Sequence, residues 1–490
     1  MANQSSNLKV IGIVLAVVIV LAAIYFIAVR PEPAVEEPVA EVPIEEPIEE
    51  PIEEPVEEPV EAIDLGGQTV TIASYRAGDK RSYFAPGGGG MGILEEVEKR
   101  FNVQIEFADL SWGGLLDEVM TSIAAGDPIG DIIYATNRHL VELAAEGALR
   151  PLDDILGDDY FASLPGMHSR MRELYSSFRG QNFGISTNGS FVFEMDIGSA
   201  QAVIWNKTMF EEAGLSNLNE IQNAGDWTWD KMKELAIALT KDTDGDGEID
   251  QWGIGARLGP WPIDLDCALI SNKANKFRYV DNQPVYTLNE PEALEVFDFW
   301  REIQDLGVGR IGDVIDDVGI DLHAEFNDQK IGMFRIDLFA FPGHARTAAE
   351  RGFDVGMVFY PKGPNAEQHY TPLWGIDVAA LPKGVENPEA MVAIFNALFR
   401  TTSDYRSIDE TYDEIFFAHF LPYVEDVHTG ETIRGMLHNA VLFDHFPGMD
   451  AEEMRLEWVR ALRPGEPSPK SILDALEPVM QTKLDEAFGQ

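Results

Sequence analysis

The chain has 490 residues, of which 45% are hydrophobic, and it carries a formal net charge of −48 at pH 7. This length and apolar content favour two or more compact units, while the negative charge argues against nucleic acids and anionic membrane surfaces as partners of the folded body. The one cysteine, Cys267, excludes an intrachain disulfide and is predicted to be a small buried residue.

The first thirty residues contain a run that is long enough to cross a membrane. Residues 10–29 carry no charge, and a helix of about 20 residues spans a bilayer at about 1.5 Å per residue. Because Lys9 precedes the run and an acidic segment follows it, we expect the N-terminus inside the cell and the body outside. A cleaved signal peptide is the alternative, but the run is long and Val29-Arg30-Pro31 is a poor cleavage site. We predict a single-pass anchor in the cell membrane over residues 1–30.

Residues 31–62 repeat the pattern Pro-(Ile/Val)-Glu-Glu and contain eight prolines. Proline prevents helix formation and the glutamates repel one another, so this segment is predicted to be an extended linker without a fold. At about 3.1 Å per residue it would reach at most about 100 Å.

The body, residues 63–490, begins with strands and helices in alternation. The patterns predict strands over residues 69–74, 103–107 and 131–134, and helices over residues 93–101, 115–125 and 140–146. Such alternation is typical of an α/β fold with parallel sheets and right-handed crossovers. Gly87, Gly89 and Gly92 match the dinucleotide-binding pattern but lie too far after the strand, so we predict a loop at the edge of a cleft instead.

The clearest local signals lie in residues 202–253. An apolar run predicts a strand that ends at Trp205, after which Asn206 caps a helix that Gly214 ends in a left-handed conformation. Thr228 caps a second helix, whose apolar residues share one face: Trp229, Met232, Leu235, Ala236 and Leu239. Further along, Asn289 and Glu292 form a capping-box pattern for a helix over residues 291–306.

The order of these motifs resembles that of the extracellular solute-binding proteins of ABC importers, in their sugar-binding, maltose-binding-protein-like branch. The motifs include Trp-Asn-Lys at a strand end, Ala-Gly-Leu at a helix end, Thr-Trp-Asp at a helix start and Trp-Gly-Ile after the acidic loop. Ala-Ala-Gly-Asp, Pro-Lys-Gly-Pro and Asn-Pro-Glu-Ala follow the same family order. The resemblance covers roughly residues 68–400.

The resemblance implies a two-lobed α/β fold with a ligand cleft between the lobes. Lobe one would comprise about residues 66–186 and 358–400, and lobe two about residues 187–357 and 401–490. Such a protein closes around its solute by a hinge motion and delivers it to membrane permease subunits, without catalysis. The resemblance implies a monomer that binds a mono- or oligosaccharide. Polyols, sugar phosphates and other small solutes stay open, and the acidic body weakly disfavours phosphates.

An acidic loop at residues 242–250, with the sequence DTDGDGEID, has the composition of a calcium site. Oxygen ligands alternate along it, and Gly247 allows the sharp turn that such a loop needs. Gly253 stands where an EF-hand has a bidentate glutamate, so the set is one carboxylate short, and an acidic surface turn is the alternative. The predicted calcium ligands are Asp242, Asp244, Asp246, Glu248 and Asp250.

Loop tryptophans and polar residues at strand ends are the candidates for ligand contacts. Sugars stack their apolar faces on aromatic rings and hydrogen-bond through their hydroxyl groups. Three tryptophans lie outside any amphipathic stripe, namely Trp112, Trp261 and Trp374, and Trp374 matches a position that the family uses beside its cleft. The polar candidates are Thr136, Asn137 and Arg138, at the carboxyl end of a predicted strand where α/β sheets bind ligands, together with Asn188, Asp264 and Asp337.

No nucleophile elbow, zinc-protease motif, Walker loop or Cys/His metal spacing occurs in the sequence, so we expect no enzymatic activity. A pair of catalytic carboxylates would be invisible at this level. A stalked, calcium-stabilised carbohydrate-active enzyme is therefore the second hypothesis, and a sensory binding protein is the third.

Overall fold

The computed structural model describes residues 63–88, 91–157, 176–186, 199–259, 261–281, 283–312, 320–399, 416, 420–436, 440–445, 449 and 452–488. The predicted anchor and linker lie outside the described residues, as does the candidate Asn188. In the part of the chain that is described, no helix combines the length and the apolar character needed to cross a membrane. All described residues belong to one compact unit, Glu61–Gln490.

Strands and helices alternate along this unit. The strands are β1 (Gln68–Ser74), β2 (Val103–Asp109), β3 (Ile132–Thr136), β4 (Ser177–Phe178), β5 (Gln181–Asn182), β6 (Gly184–Ser186), β7 (Gln201–Asn206), β8 (Trp252–Arg257), β9 (Phe277–Val280), β10 (Gln283–Tyr286), β11 (Gly309–Gly312), β12 (Ile331–Asp337), β13 (Val355–Phe359), β14 (Thr371–Leu373), β15 (Asp377–Ala380) and β16 (Ala440–Leu442). The helices are α1 (Ala77–Phe84), α2 (Met91–Phe101), α3 (Leu115–Ala124), α4 (Asn137–Ala145), α5 (Asp153–Leu156), α6 (Lys207–Glu212), α7 (Leu218–Asn223), α8 (Trp229–Leu239), α9 (Ile263–Ser271), α10 (Pro291–Asp305), α11 (Leu322–Asn327), α12 (Phe341–Arg351), α13 (Pro388–Phe399), α14 (Val427–Gly435), α15 (Glu452–Leu462) and α16 (Pro469–Phe488).

Two five-stranded sheets organise the fold. The first has the strand order β2-β1-β3-β15-β6 and the second the order β11-β8-β12-β7-β13. The strands predicted near the start of the body form the first sheet, where β1 runs parallel to β2 and β3. Strand β15 pairs antiparallel with β3 and β6, and β7 pairs antiparallel with β12 and β13. The prediction of parallel sheets is therefore wrong for part of each sheet, because β15 in the first sheet and β7 in the second run antiparallel to both of their neighbours.

The local signals around β7 are confirmed. Every residue of β7 is buried, as expected of a central strand that is covered on both faces. The side chain of Asn206 accepts a hydrogen bond from the backbone N–H of Met209, and Gly214 has φ 69° after α6. Thr228 caps α8 in the same way, and the five apolar residues predicted to share a face of α8 are all buried.

The predicted capping box at α10 is wrong. Helix α10 begins after Glu290, whose side chain makes no capping hydrogen bond. The amide of Asn289 instead donates to Asp474 and Glu477 of α16, at 3.0 and 2.9 Å. A contact with a distant helix has replaced the local one.

Cys267 lies in α9 and is fully buried, as predicted. Burial raises the pKa of its thiol well above the usual value.

Candidate functional site

A cavity of about 730 Å³ lies where loops from the two sheets meet. Arg138 follows β3 of the first sheet, whereas Arg257 and Asp337 end β8 and β12 of the second sheet. The carboxyl ends of strands from both sheets thus bring polar side chains to the cavity, and strand ends of this kind are the usual ligand sites of α/β proteins. The wall is completed by residues from the C-terminal region, including Arg455 and Trp458 of α15.

The structure brings five of the nine predicted ligand-contacting residues to this cavity: Trp112, Arg138, Trp261, Asp337 and Trp374. Three others are buried and have structural roles. Thr136 shares a hydrogen bond of 3.0 Å with His139, the amide oxygen of Asn137 accepts from the backbone of Ile376, and Asp264 accepts from the backbone of Arg257 at 2.8 Å.

Trp112 and Trp374 form an aromatic corner. Their ring centroids are 5.6 Å apart and their planes meet at 81°. The rings of His139 and Tyr75 pack edge-on against Trp112, at centroid distances of 4.7 and 4.8 Å, and fix its orientation. Trp112 is still 43% exposed, so part of its ring surface faces the cavity and its mouth. The two rings therefore form a rigid apolar surface in the cavity wall.

Trp261 has a different environment. The guanidinium carbon of Arg455 lies 3.9 Å from its ring centroid, and that of Arg138 lies 5.3 Å away. Both distances are within the range of cation–π attraction. Because Arg138 follows β3 and Trp261 follows β8, the contact also joins the two sides of the cavity. The ring of Trp261 is thus already engaged by two cations.

Arg335 of β12 organises a buried polar network beneath the cavity. Its guanidinium donates to Gln201 at 2.5 Å and lies 3.4 Å from Asp337 and 3.7 Å from Asp264. Burial alone would lower the pKa of Arg335, but Asp337 and Asp264 outweigh it and raise that pKa. Burial raises the pKa of Asp264, and the charge of Arg335 opposes this shift.

A second ion pair lies in the cavity wall itself. The ammonium group of Lys276 is 2.5 Å from Asp266, and both side chains are largely buried. The backbone N–H of Lys276 donates to Asp444 at 2.7 Å, yet burial dominates and raises the pKa of Asp444 to about 6. These wall carboxylates are therefore held by donors of the protein itself.

Two histidines of the cavity wall, His139 and His445, are partly buried and neutral at pH 7. Burial is the main reason why the pKa of His139 is lowered to about 4, and the nearby charge of Arg138 and the ring of His445 add to it. The pKa of His445 is also lowered to about 4, again mainly by burial, although Glu142 opposes the shift.

Acidification is expected to destabilise the protein through these rings. Since the folded-state pKa of His139 lies below the ordinary value of about 6.5, the unfolded chain binds more protons between pH 6.5 and pH 4. The stabilising contribution is complete above pH 6.5 and falls by up to about 1.4 kcal/mol per pH unit as the pH drops towards 4. Urea unfolding at several pH values should show a shallower pH dependence of the free energy of unfolding for His139→Gln than for wild type. If the free energy of unfolding changed equally with pH in wild type and His139→Gln, the lowered pKa of His139 would be contradicted.

The acidic loop at residues 242–250 brings three of its five predicted calcium ligands together. Carboxylate oxygens of Asp242, Asp244 and Asp250 lie within 4.8 Å of one another, whereas Asp246 and Glu248 are not part of this group. The carboxylate of Asp242 accepts from the backbone N–H groups of Gly247 and Gly245, at 2.8 and 2.6 Å, and these bonds lower its pKa. Gly247 has φ 98°, as the predicted sharp turn requires.

Four residues of the cavity wall were not among the candidates from sequence: His139, Lys276, Arg455 and Trp458. His139 was passed over among scattered histidines, and Lys276 stood in a stretch without a motif. Arg455 and Trp458 lie beyond residue 400, where the family motifs fade. Only their arrangement in space identifies them.

Comparisons with known proteins agree with the fold. The sequence profile described as bacterial extracellular solute-binding protein matches residues 88–403. The ABC substrate-binding protein Lmo0181 from Listeria monocytogenes, in complex with cycloalternan, superimposes with a TM-score of 0.60 at 17% identity, covering 86% of this chain and 99% of that chain. The GacH receptor of Streptomyces glaucescens, solved without ligand and with acarbose, has a TM-score of 0.60 at 15% identity, with the same coverage.

A curated relative extends the comparison at the sequence level. A binding protein of Brucella abortus (strain 2308) is 26% identical over 184 residues. The match spans 36% of this chain and 36% of that relative, so the chain covers about a third of the relative's length.

Proposed function

The chain belongs to the bacterial extracellular solute-binding proteins, as its motifs predicted, and from this premise we propose that it captures a saccharide in the cavity between its two sheets and passes it to the permease of an ABC importer. The observation that carries the proposal is the aromatic corner of Trp112 and Trp374 in a cavity whose walls come from both sheets. The Listeria and Streptomyces proteins were solved with cycloalternan and acarbose, and we extend this ligand class to the present chain.

The chemistry of the wall supports a saccharide. An apolar ring face can take one face of a pyranose, while the surrounding Arg138 and Glu142 offer donors and acceptors for hydroxyl groups. The cavity volume is within the range of about 300–1,000 Å³ that is usual for small-molecule sites. A ligand that touches both sides favours the closed arrangement, and closure is the signal that a permease can recognise.

We propose in addition that residues 10–29 anchor the protein in the cell membrane, with residues 31–62 as a linker and the body on the extracellular side. The uncharged run and the repeated prolines support this arrangement. Deletion of residues 1–30 should move the protein from the membrane fraction to the medium or the soluble fraction. Retention in the membrane fraction would count against the anchor.

Hydrolysis of a saccharide is the alternative function. A glycosidase needs two carboxyl groups that are available to the substrate. Here Asp266 is paired with Lys276, Asp337 is paired with Arg335, and Asp444 accepts from the backbone N–H of Lys276 at 2.7 Å. We therefore favour binding without catalysis.

Calorimetric titration of the full-length protein in mild detergent tests the proposal against a panel of mono- and oligosaccharides, polyols and amino acids. Saturable binding of a saccharide, with the sugar recovered unchanged after prolonged incubation, is the expected result. Consumption of the sugar would favour the enzyme, and binding of amino acids alone would overturn the proposed ligand class.

We also propose that Asp242, Asp244 and Asp250 hold a structural calcium ion. Three converging carboxylates in a loop with left-handed glycines support it. Calcium is expected to raise the melting temperature by several degrees and a chelator to reverse this, because an ion that binds only the folded state stabilises it. Asp242→Asn should abolish the effect, whereas Asp246→Asn should reduce it much less. Scanning calorimetry with and without calcium decides, and equal effects of the two variants would contradict the three-ligand set.

A further inference from the structure

We propose that the solute carries an anionic group, a carboxylate or a phosphate, and that Arg257 binds it. This inference rests on the proposed saccharide-binding function and narrows its ligand class to acidic saccharides. It reverses the expectation from composition alone, by which the acidic body disfavours phosphates.

The starting observation is the state of the cationic groups in the cavity wall. Lys276 is paired with Asp266, while Arg138 and Arg455 both contact the ring of Trp261. For Arg257, the structure gives the guanidinium no hydrogen bond, ion pair or ring contact among the described residues. Its backbone N–H is used, by Asp264, but its five side-chain donors are not.

Arg257 is also placed to meet a ligand. It is the last residue of β8, it lines the cavity, and it is half-buried. Partial burial raises the cost of leaving a charge without a partner, and a guanidinium fork matches a carboxylate or phosphate through two parallel hydrogen bonds. A hydroxyl group would satisfy fewer of these donors.

The neighbouring carboxylates are already engaged elsewhere. Asp337 accepts from Gln201 at 2.6 Å and lies beside Arg335, and Asp264 faces the same arginine. Burial is the main reason that the pKa of Arg257 is lowered, and the charge of Arg335 adds to it, while Asp337 and Asp264 oppose the shift. An anion of the ligand would offset both unfavourable effects.

The aromatic corner lies in the same cavity and would contact the apolar face of the sugar ring. Trp112 and Trp374 take an apolar ring face, and Arg257 takes an acidic substituent. This combination distinguishes an acidic sugar from a neutral sugar, which lacks the anion, and from inorganic phosphate, which lacks the apolar face.

Matched ligand pairs test the proposal on the full-length protein in mild detergent. Calorimetric titration compares glucose with glucuronate and glucose 6-phosphate, galactose with galacturonate, and a neutral with an acidic disaccharide. We expect an acidic member to bind at least about ten times more tightly than its neutral partner. The glucuronate and phosphate arms show which of the two anions is the natural group. Inorganic phosphate alone should bind far more weakly than the acidic sugar.

Variants of Arg257 complete the test. Arg257→Gln should weaken binding of the acidic sugar on the order of 10- to 100-fold, and binding of the neutral one by no more than about twofold. Arg257→Lys, which keeps the charge but not the fork, should give an intermediate loss. Arg100→Gln removes an exposed arginine of α2 and is the control for net charge. Without ligand, Arg257→Gln should melt at the same temperature as wild type or higher, because no internal partner is lost.

Three results would overturn the inference. The first is a neutral sugar that binds as tightly as its acidic partner. The second is an equal loss of both sugars in Arg257→Gln, which would assign the arginine to a hydroxyl group. The third is a drop in melting temperature of several degrees in ligand-free Arg257→Gln, which would reveal an internal partner. Failure of every saccharide, acidic or neutral, would instead overturn the proposed function itself.

Discussion

Replacing Arg335 with alanine is expected to lower the free energy of unfolding by about 3–5 kcal/mol, since it leaves buried carboxylates without their cation. Arg335 and Asp264 are each only 3% exposed in their side chains, and Asp337 is 15% exposed. Their mutual attraction offsets the cost of removing all three from water. With the arginine gone, the two acids repel each other and must either take up protons or admit water.

Chemical unfolding at pH 7 measures the effect directly. Arg460→Ala is the matched control, because Arg460 forms two ion pairs with Glu457 and Glu466 on the surface, where salt and water screen them. The control should be indistinguishable from wild type. The destabilisation of Arg335→Ala should shrink as the pH falls and Asp264, whose pKa is already raised by burial, takes up a proton. A loss as small as that of the control would show that the network contributes little.

Replacing Trp374 with alanine is expected to weaken saccharide binding by about 30-fold or more, or about 2 kcal/mol, as for other aromatic residues at the centre of a binding site. The residue supplies one wall of the aromatic corner, and Trp112 alone cannot enclose a ring face. Trp112→Ala should have a similar effect, and the two losses should not add, because each ring positions the other.

Calorimetric titration with the tightest ligand of the panel gives these affinities. Tyr279→Ala is the aromatic control, since Tyr279 is 57% exposed and does not line the cavity. Trp261→Ala should cost less than Trp374→Ala, because Arg455 and Arg138 already contact that ring. If Trp261→Ala weakens binding more than Trp374→Ala, the aromatic corner is not the main stacking surface for the sugar.

Short-range features of this fold were accessible from sequence because each depends on neighbours along the chain. The side chains of Asn206 and Thr228 cap their helices by accepting a hydrogen bond from the backbone N–H three residues later. The apolar face of α8 follows from helical periodicity. The three loop tryptophans singled out in the sequence all line the cavity, for a related reason. A large apolar residue outside any amphipathic stripe has no local packing partner, so it is available to a cleft.

Features that depend on distant partners were not accessible. Asp264 was expected to contact ligand, but its carboxylate turns inward to Arg335, a residue of another strand. The alternating acids of residues 242–250 gave no indication that Asp246 and Glu248 stay outside the cluster, because backbone N–H groups of the loop decide where each carboxylate points. Arg455 and Trp458 come from a region without recognisable motifs, so nothing local marked them as cavity residues.

The burial of Cys267 has a practical consequence for spectroscopy. The only thiol of the chain is fully enclosed in α9 and strongly disfavours its reactive thiolate form. Maleimide or methanethiosulfonate reagents should therefore leave native protein unlabelled. One cysteine introduced on the surface beside each sheet, for example at Lys99 of α2 and Glu234 of α8, would carry probes without background. Interprobe distance distributions would then report directly whether a solute draws the two sheets together.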